Sequence, residues 1–230
     1  MGSLLLLYIT TSAILTGGLG NSYDYAWGFG GTMLVLNFTF SGISGGHLNP
    51  AVSVGHMMAK NITLVRAASY TVCQCLGASL GASFAQNVDD ISGIQNWNSV
   101  ADGIGNGTAF WAELMGTFCL MWVMLASTDS RRNEKSAHLS TLAPLSIGMA
   151  YFVLHIGMAP IDGCSVNPAR SFGTANANNE WGEHWVFWLG PLAGAALSAI
   201  AYGVFDESAT DSKNGDKVLV DHNEDDGAVC

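Results

Sequence analysis

The chain has 230 residues, 49% of them hydrophobic and 11% charged. A soluble domain carries about 25% charged residues, so most of this chain cannot face water; a soluble enzyme, a disulfide-stapled module and a disordered chain are excluded as its main body. The net charge of −10 sits mostly in residues 206–230, which hold eight acids and two lysines, and the eight basic residues offer nucleic acid no attractive field.

A membrane-crossing helix needs about 20 apolar residues, and the chain has room for six. Stretches 2–19 and 26–44 read as the first two spans. Gly45-Gly46-His47-Leu48 then leads into residues 49–58, which open on Asn49-Pro50-Ala51. Asparagine is a good helix N-cap, and proline suits the first turn, where its missing N–H costs nothing. A short helix starting at Asn49 is therefore predicted, too short to cross a bilayer. Span three covers 64–86, and a connection over 87–107 has Asp89, Asp90 and Asp102 but no Lys or Arg. Span four is 109–127, a basic loop carries Arg131, Arg132 and Lys135, and span five is 139–158. Gly163-Cys164-Ser165-Val166 precedes a second short helix, 167–175, opening on Asn167-Pro168-Ala169. Span six is 184–205, and residues 206–230 read as a disordered acidic tail. The five cysteines (Cys73, Cys75, Cys119, Cys164, Cys230) have no disulfide or metal-ligand spacing.

Basic residues fall between spans two and three, between four and five, and after six. The positive-inside rule then puts both termini in the cytoplasm. Only Arg170 falls on the far side, beside the second short helix, and such an arginine marks a functional site. Each half has three spans with Asn-Pro-Ala between its second and third, so the halves, about 1–86 and 109–205, are inverted with respect to each other. Inverted repeats with interrupted helices are a transport layout. Irregular backbone at membrane depth is tolerated where it lines a cavity; the carbonyls of Gly45, Gly46 and His47, and of Gly163 and Ser165, are expected to line one. The expected fold is an all-α membrane protein, a single channel domain over 1–205, with six transmembrane helices and two half-helices.

Ser44-Gly-Gly-His-Leu-Asn-Pro-Ala-Val52, Asn167-Pro-Ala-Arg-Ser-Phe-Gly173 and His184-Trp-Val-Phe-Trp-Leu-Gly-Pro191 resemble the aquaporins, the major intrinsic protein family, over essentially the whole chain. One Asn-Pro-Ala is weak evidence; two, 118 positions apart and each opening a short apolar helix, are specific. Ala26-Trp-Gly-Phe-Gly-Gly31, Cys73-Gln-Cys-Leu-Gly-Ala78 and Leu142-Ala-Pro-Leu145 are similar to the plant-type plasma-membrane group. The resemblance implies a passive water-selective channel rather than an enzyme, without metal or cofactor. It also implies a plasma membrane location with lipid around the helices, and a homotetramer with one pore per subunit.

In that family the two Asn-Pro-Ala segments form an inner constriction. Asn49 and Asn167 would each offer an N–H₂ to a passing water at the positive end of a helix dipole, and the two dipoles oppose cations and protons. The resemblance maps a second constriction onto Phe29, His155, Cys164 and Arg170. Phe29 narrows the passage, His155 adds bulk and a polar edge, and Arg170 adds fixed donors and a permanent charge. Glycerol-conducting relatives lack this histidine and carry Asp where Ser171 stands. Cys164 stands where the plant-type group resembles Thr, and matches the mercury-sensitive cysteine of animal water channels. Glu113 matches the family's brace for the second loop.

His138 falls where the plant-type group carries a loop histidine whose protonation favours closure of the cytoplasmic mouth, with Leu139 and Leu142 as the plug. A solvated loop histidine is the alternative. Thr63 stands where that group has a phosphorylatable serine, and reads also as the N-cap of span three. The family's Ala-Glu-Phe at the start of span one is absent, so the first repeat lacks a counterpart of Glu113, as a truncated sequence would. Passage of peroxide, carbon dioxide or glycerol, and a membrane scaffold with a silent pore, are the competing readings. Glu113, the only acid read inside a span, has no neighbouring base, which leaves an intramembrane enzyme without support.

Overall fold

The computed structural model describes the backbone of residues 1–17, 22–89, 98–129 and 138–225, and the side chains of residues 1–12, 23–87, 98–129 and 141–205. Among the described residues there are eight α-helices and no strand: α1 (Gly2–Gly17), α2 (Ser22–Ser44), α3 (Pro50–Met58), α4 (Leu64–Asp89), α5 (Asn106–Thr128), α6 (His138–Asp162), α7 (Pro168–Asn178) and α8 (Val186–Asp225). The six long apolar stretches of the sequence are the six long helices, and the two Asn-Pro-Ala segments open the two short ones.

The contacts between helices repeat. Exchanging α1, α2, α3 and α4 for α5, α6, α7 and α8 leaves the contact list unchanged: α1 packs on α4 as α5 packs on α8, and α3 touches α8 as α7 touches α4. The two pairs that map onto themselves, α2 with α6 and α3 with α7, lie on the pseudo-two-fold axis. The close crossings are made by glycine. Gly77 and Gly81 of α4 face Leu4 of α1, and Gly190 and Gly194 of α8 face Glu113 and Leu114 of α5. A methyl at Gly81 or Gly194 would overlap a main-chain carbonyl oxygen. Small residues four apart allow backbones this close, which is how membrane helices associate where no water drives them together.

By length and composition α5, residues 141–162 of α6 and residues 186–205 of α8 suffice to cross a membrane. Helices α2 and α4 are long enough, at 23 and 26 residues, but are diluted by glycine and polar residues, several of which make crossings or hold the loops of the site. The outer surface is apolar: Phe38 is 74% exposed, Val65 75% and Val153 60%. Such a surface needs hydrocarbon or another subunit against it.

Two boundaries differ from the sequence reading. Helix α6 runs to Asp162 rather than ending near residue 158. Pro160 argues locally against a helix there, yet the turn is made only at Gly163, where φ is 80°. Asp162 is consequently a second acid buried in the bundle, 1% exposed. Helix α8 continues to Asp225, through a segment read as a disordered tail; a helix already nucleated by packing extends at little further cost. Residues 226–230 lie outside the described residues.

Candidate functional site

The site is built where α3 and α7 meet. Each begins at an asparagine N-cap in extended backbone, φ −155° at Asn49 and −153° at Asn167, with proline at the first helical position. The preceding loops share one conformation at the same offset of 118. Gly45 and Gly163 have φ of 83° and 80°, Gly46 and Cys164 61° and 52°, and Leu48 and Val166 53° and 45°. A β-branched residue rarely adopts positive φ. Val166 does so here, at a point where the surrounding contacts over-determine the backbone.

The two tips are tied reciprocally. Asn49 Nδ2 donates to Val166 O at 2.7 Å, and Asn167 Nδ2 donates to Leu48 O at 3.1 Å. Each Oδ1 accepts from its own helix start: Ala51 N at 2.9 Å on one side, Ala169 N at 3.1 Å and Arg170 N at 3.3 Å on the other. Pro50, Ala51, Pro168 and Ala169 are buried beside them. The tips differ in one respect. Asn49 also donates to Tyr151 Oη at 3.1 Å, so both its amide hydrogens have protein acceptors. The expectation that both asparagines offer a hydrogen to a passing molecule therefore fails for Asn49, because the Tyr151 hydroxyl has taken its place.

Supporting bonds repeat at the same offset. His47 Nδ1 lies 3.1 Å from Ser53 Oγ, and Ser165 Oγ lies 2.6 Å from Ser171 Oγ. Glu113, fully buried, accepts from Ser165 N at 2.6 Å and Val166 N at 2.7 Å. On the first-repeat side Asn37 Nδ2 donates to Gly46 O at 3.1 Å, and Gln74 Nε2 donates to Ser53 Oγ at 3.2 Å. The loop carbonyls are not all bare, as the sequence reading has them. Gly46 O accepts from Asn37, Gly163 O from Tyr25 and Arg170, and Cys164 O from Arg170. A carbonyl oxygen has two lone pairs, so Gly46 O and Cys164 O each keep one available, whereas Gly163 O has both engaged.

Phe29 (α2), His155 (α6), Cys164 (loop) and Arg170 (α7) lie together in one cluster. The Phe29 and His155 rings stack at 4.3 Å and 15°, and Arg170 Cζ lies 4.1 Å from the Phe29 centroid. Arg170 donates to Cys164 O, to Gly163 O at 3.1 Å and to Tyr25 Oη. None of the four is more than 3% exposed, so in this conformation the cluster is closed to water. His155 Nδ1 lies 2.7 Å from Tyr151 O. A carbonyl only accepts, so Nδ1 carries the proton and Nε2 is an acceptor. That Nε2 is buried without a protein partner. Cys164 Sγ lies 4.0 Å from Met158 Sδ.

Sequence reasoning missed three residues here. Tyr25 packs on Phe29 and His155, at 5.2 and 5.8 Å between centroids, and donates to Gly163 O at 2.9 Å. Tyr151 is the second. Both stand four residues before a filter position, Phe29 and His155, hence on the same helix face; that spacing was the available signal. Asp162 Oδ1 accepts from Cys164 N at 2.9 Å; only the true length of α6 reveals it.

At the other end of α3 a cavity of about 750 Å³ is lined by His47, His56, Lys60, Asn61, Asp129 and Tyr202, among others. His47 and His56 stack at 4.6 Å and 17°; nothing in the motif singled out His56. Thr63 Oγ1 accepts from Arg66 N at 3.3 Å, the N-cap geometry for α4. Leu142 is 48% exposed and is not among the described residues lining the cavity. The side chains of His138 and Leu139 lie outside the described residues. No group of three or more metal-binding side chains occurs among the described residues.

Two half-helices held tip to tip inside a six-helix bundle with an apolar exterior define a membrane channel. The sequence model of the family described as major intrinsic protein matches residues 1–202, and the chain belongs to that family. It is 42% identical over 218 residues to "Probable aquaporin PIP2-8" of Arabidopsis thaliana, covering 88% of this chain and 77% of that one. It is 41% identical over 220 residues to "Probable aquaporin PIP1-2" of Oryza sativa subsp. japonica, covering 89% and 75%. Among solved structures, the aquaglyceroporin from Plasmodium falciparum superposes with a TM-score of 0.78 at 26% identity, over 88% of this chain and 91% of that one.

Proposed function

We propose that the chain is a passive, water-selective channel whose passage runs between the Asn49/Asn167 tips and the Phe29–His155–Cys164–Arg170 cluster. The observation that carries this reading is the unpartnered, buried Nε2 of His155, whose ring stacks on Phe29, the same ring that the Arg170 guanidinium contacts. A hydrogen-bond acceptor and fixed donors close together suit a molecule that both donates and accepts, as water does. Arg170 and the converging positive ends of α3 and α7 oppose cations and protons. Flux requires the guanidinium to leave the Phe29 face. Hydrogen peroxide, similar in size and hydrogen bonding, passes by the same route. Glycerol is excluded by the bulk of His155 against Phe29.

The family resemblance and the apolar exterior support a homotetramer in the plasma membrane. The distribution of Lys and Arg supports cytoplasmic termini, which makes the His47/His56 cavity the cytoplasmic mouth. Residues 1–205 form the channel domain and 206–230 the cytoplasmic tail. Protonation of His138 closes that mouth: wild type should swell more slowly at acidic than at neutral internal pH while His138→Ala does not, and equal rates throughout would remove the gate. Stopped-flow light scattering on proteoliposomes, under water and glycerol gradients, tests the main reading. Water flux above protein-free vesicles without glycerol flux is expected. Arg170→Val should keep water flux and raise cation leak. Glycerol flux equal to water flux, or no flux of either, would overturn the reading.

A further inference from the structure

Tyr151 is the side chain that joins the two constrictions. It lies one turn before His155 on α6 and is 2% exposed. Its hydroxyl accepts from Asn49 Nδ2 at 3.1 Å, while its carbonyl holds His155 Nδ1 at 2.7 Å. Its ring centroid is 6.3 Å from that of His155. Asn49 has two amide hydrogens, and Val166 O takes the other. If the passage runs past the tips, a molecule there would meet the phenol rather than the Asn49 amide, whose hydrogens are both engaged.

We infer that Tyr151 is a specificity-determining residue, a second sieve in series with the filter and the acting hydrogen-bond donor at the Asn49 tip. This inference rests on the channel reading. A phenol that accepts from Asn49 still has its own O–H to give. The donor polarity of the tip is thereby passed on to the traversing molecule, displaced by one hydroxyl. The ring occupies space beside the tips that a Val or Ala would leave open. Removing the bulk of His155 alone then does not open the passage to a larger neutral solute, because Tyr151 stands behind it.

The test uses the full-length protein in proteoliposomes, with glycerol uptake and osmotic water flux read on wild type, His155→Ala, Tyr151→Val and the double variant. Wild type should conduct water and exclude glycerol. His155→Ala should still exclude glycerol, with uptake within about twofold of protein-free vesicles, whereas His155→Ala/Tyr151→Val should exceed it by about fivefold or more. Tyr151→Phe keeps the ring and, combined with His155→Ala, should still exclude glycerol; it also serves where the valine variant does not fold. Folding is checked by size exclusion and thermal unfolding. Glycerol uptake by His155→Ala alone as fast as by the double variant overturns the inference, as does exclusion by a folded double variant. In both cases wild-type water flux persists and the channel reading stands. Absence of water flux from wild type and all variants overturns the channel reading, and this inference with it.

Discussion

Glu113 carries the most direct test of how the site is held. Its carboxylate accepts from Ser165 N and Val166 N at 2.6 and 2.7 Å, and it is fully buried. Val166 has φ of 45°, and its carbonyl accepts from Asn49. The brace thus fixes the residue that fixes the opposite tip. In Glu113→Gln one oxygen becomes an NH₂ facing a backbone N–H, and leaving that buried donor unsatisfied costs about 2 kcal/mol. Glu113→Ala removes both acceptors, which doubles the loss to about 4 kcal/mol. For a chain of this size each kcal/mol lowers the unfolding midpoint by about 2–4 °C, so about 4–8 °C is expected for Gln and about twice that for Ala. Differential scanning fluorimetry of the detergent-solubilised protein measures the midpoints, and stopped-flow light scattering the water flux, which should fall with the loss of the Val166 position. A Glu113→Gln midpoint equal to wild type, with Ala no worse than Gln, would refute the brace.

Gly194→Ala forces a methyl against Leu114 O and should cost about 1–3 kcal/mol by overpacking. Gly203→Ala, which meets nothing within 4 Å inside α8, is the matched control for thermal unfolding and should not destabilise, gaining up to about 1 kcal/mol of helix propensity. Mercurials should block water flux through Cys164, slowly because its thiol is buried against Met158. Cys164→Ser should abolish the block while the remaining cysteines stay in place. Trp188 Nε1 donates to His184 Nε2 at 3.0 Å, so that nitrogen is unprotonated, and burial holds the His184 pKa below its ordinary 6.5. The unfolded chain therefore takes the proton first. The stability His184 confers is full above pH 6.5 and is lost as pH falls from there toward the folded value. Unfolding midpoints should drop on acidification, with a shallower slope for His184→Asn.

Much of the architecture is local information and was readable without coordinates. Six apolar runs long enough for a bilayer, two Asn-Pro caps and a shared spacing of 118 depend only on neighbouring residues and membrane thickness. They placed α3 and α7 within one residue at their N-termini. Family resemblance then pointed to Phe29, His155, Cys164 and Arg170, which the fold brings together. Local rules erred where packing outweighs propensity. The apolar stretch read as span five stopped near residue 158, but the helix continues through Pro160 to Asp162. The acidic composition of residues 206–225 argued for disorder, but the backbone remains helical from the packed part of α8.

The partner of each polar group was decided only by tertiary structure. A hydrogen bond between Tyr151 and Asn49 spans 102 positions, one between Tyr25 and Gly163 spans 138, and the brace from Glu113 to Val166 spans 53. Helical periodicity states which face a side chain shares, and Tyr25 and Tyr151 share faces with Phe29 and His155. It does not state which opposing helix supplies the acceptor or how far away it stands. That depends on glycine-set crossings such as α5 with α8 and α1 with α4. The sequence therefore determined that two capped half-helices exist and what they carry; the inter-helix distances decided that one asparagine donates to a tyrosine while its counterpart does not.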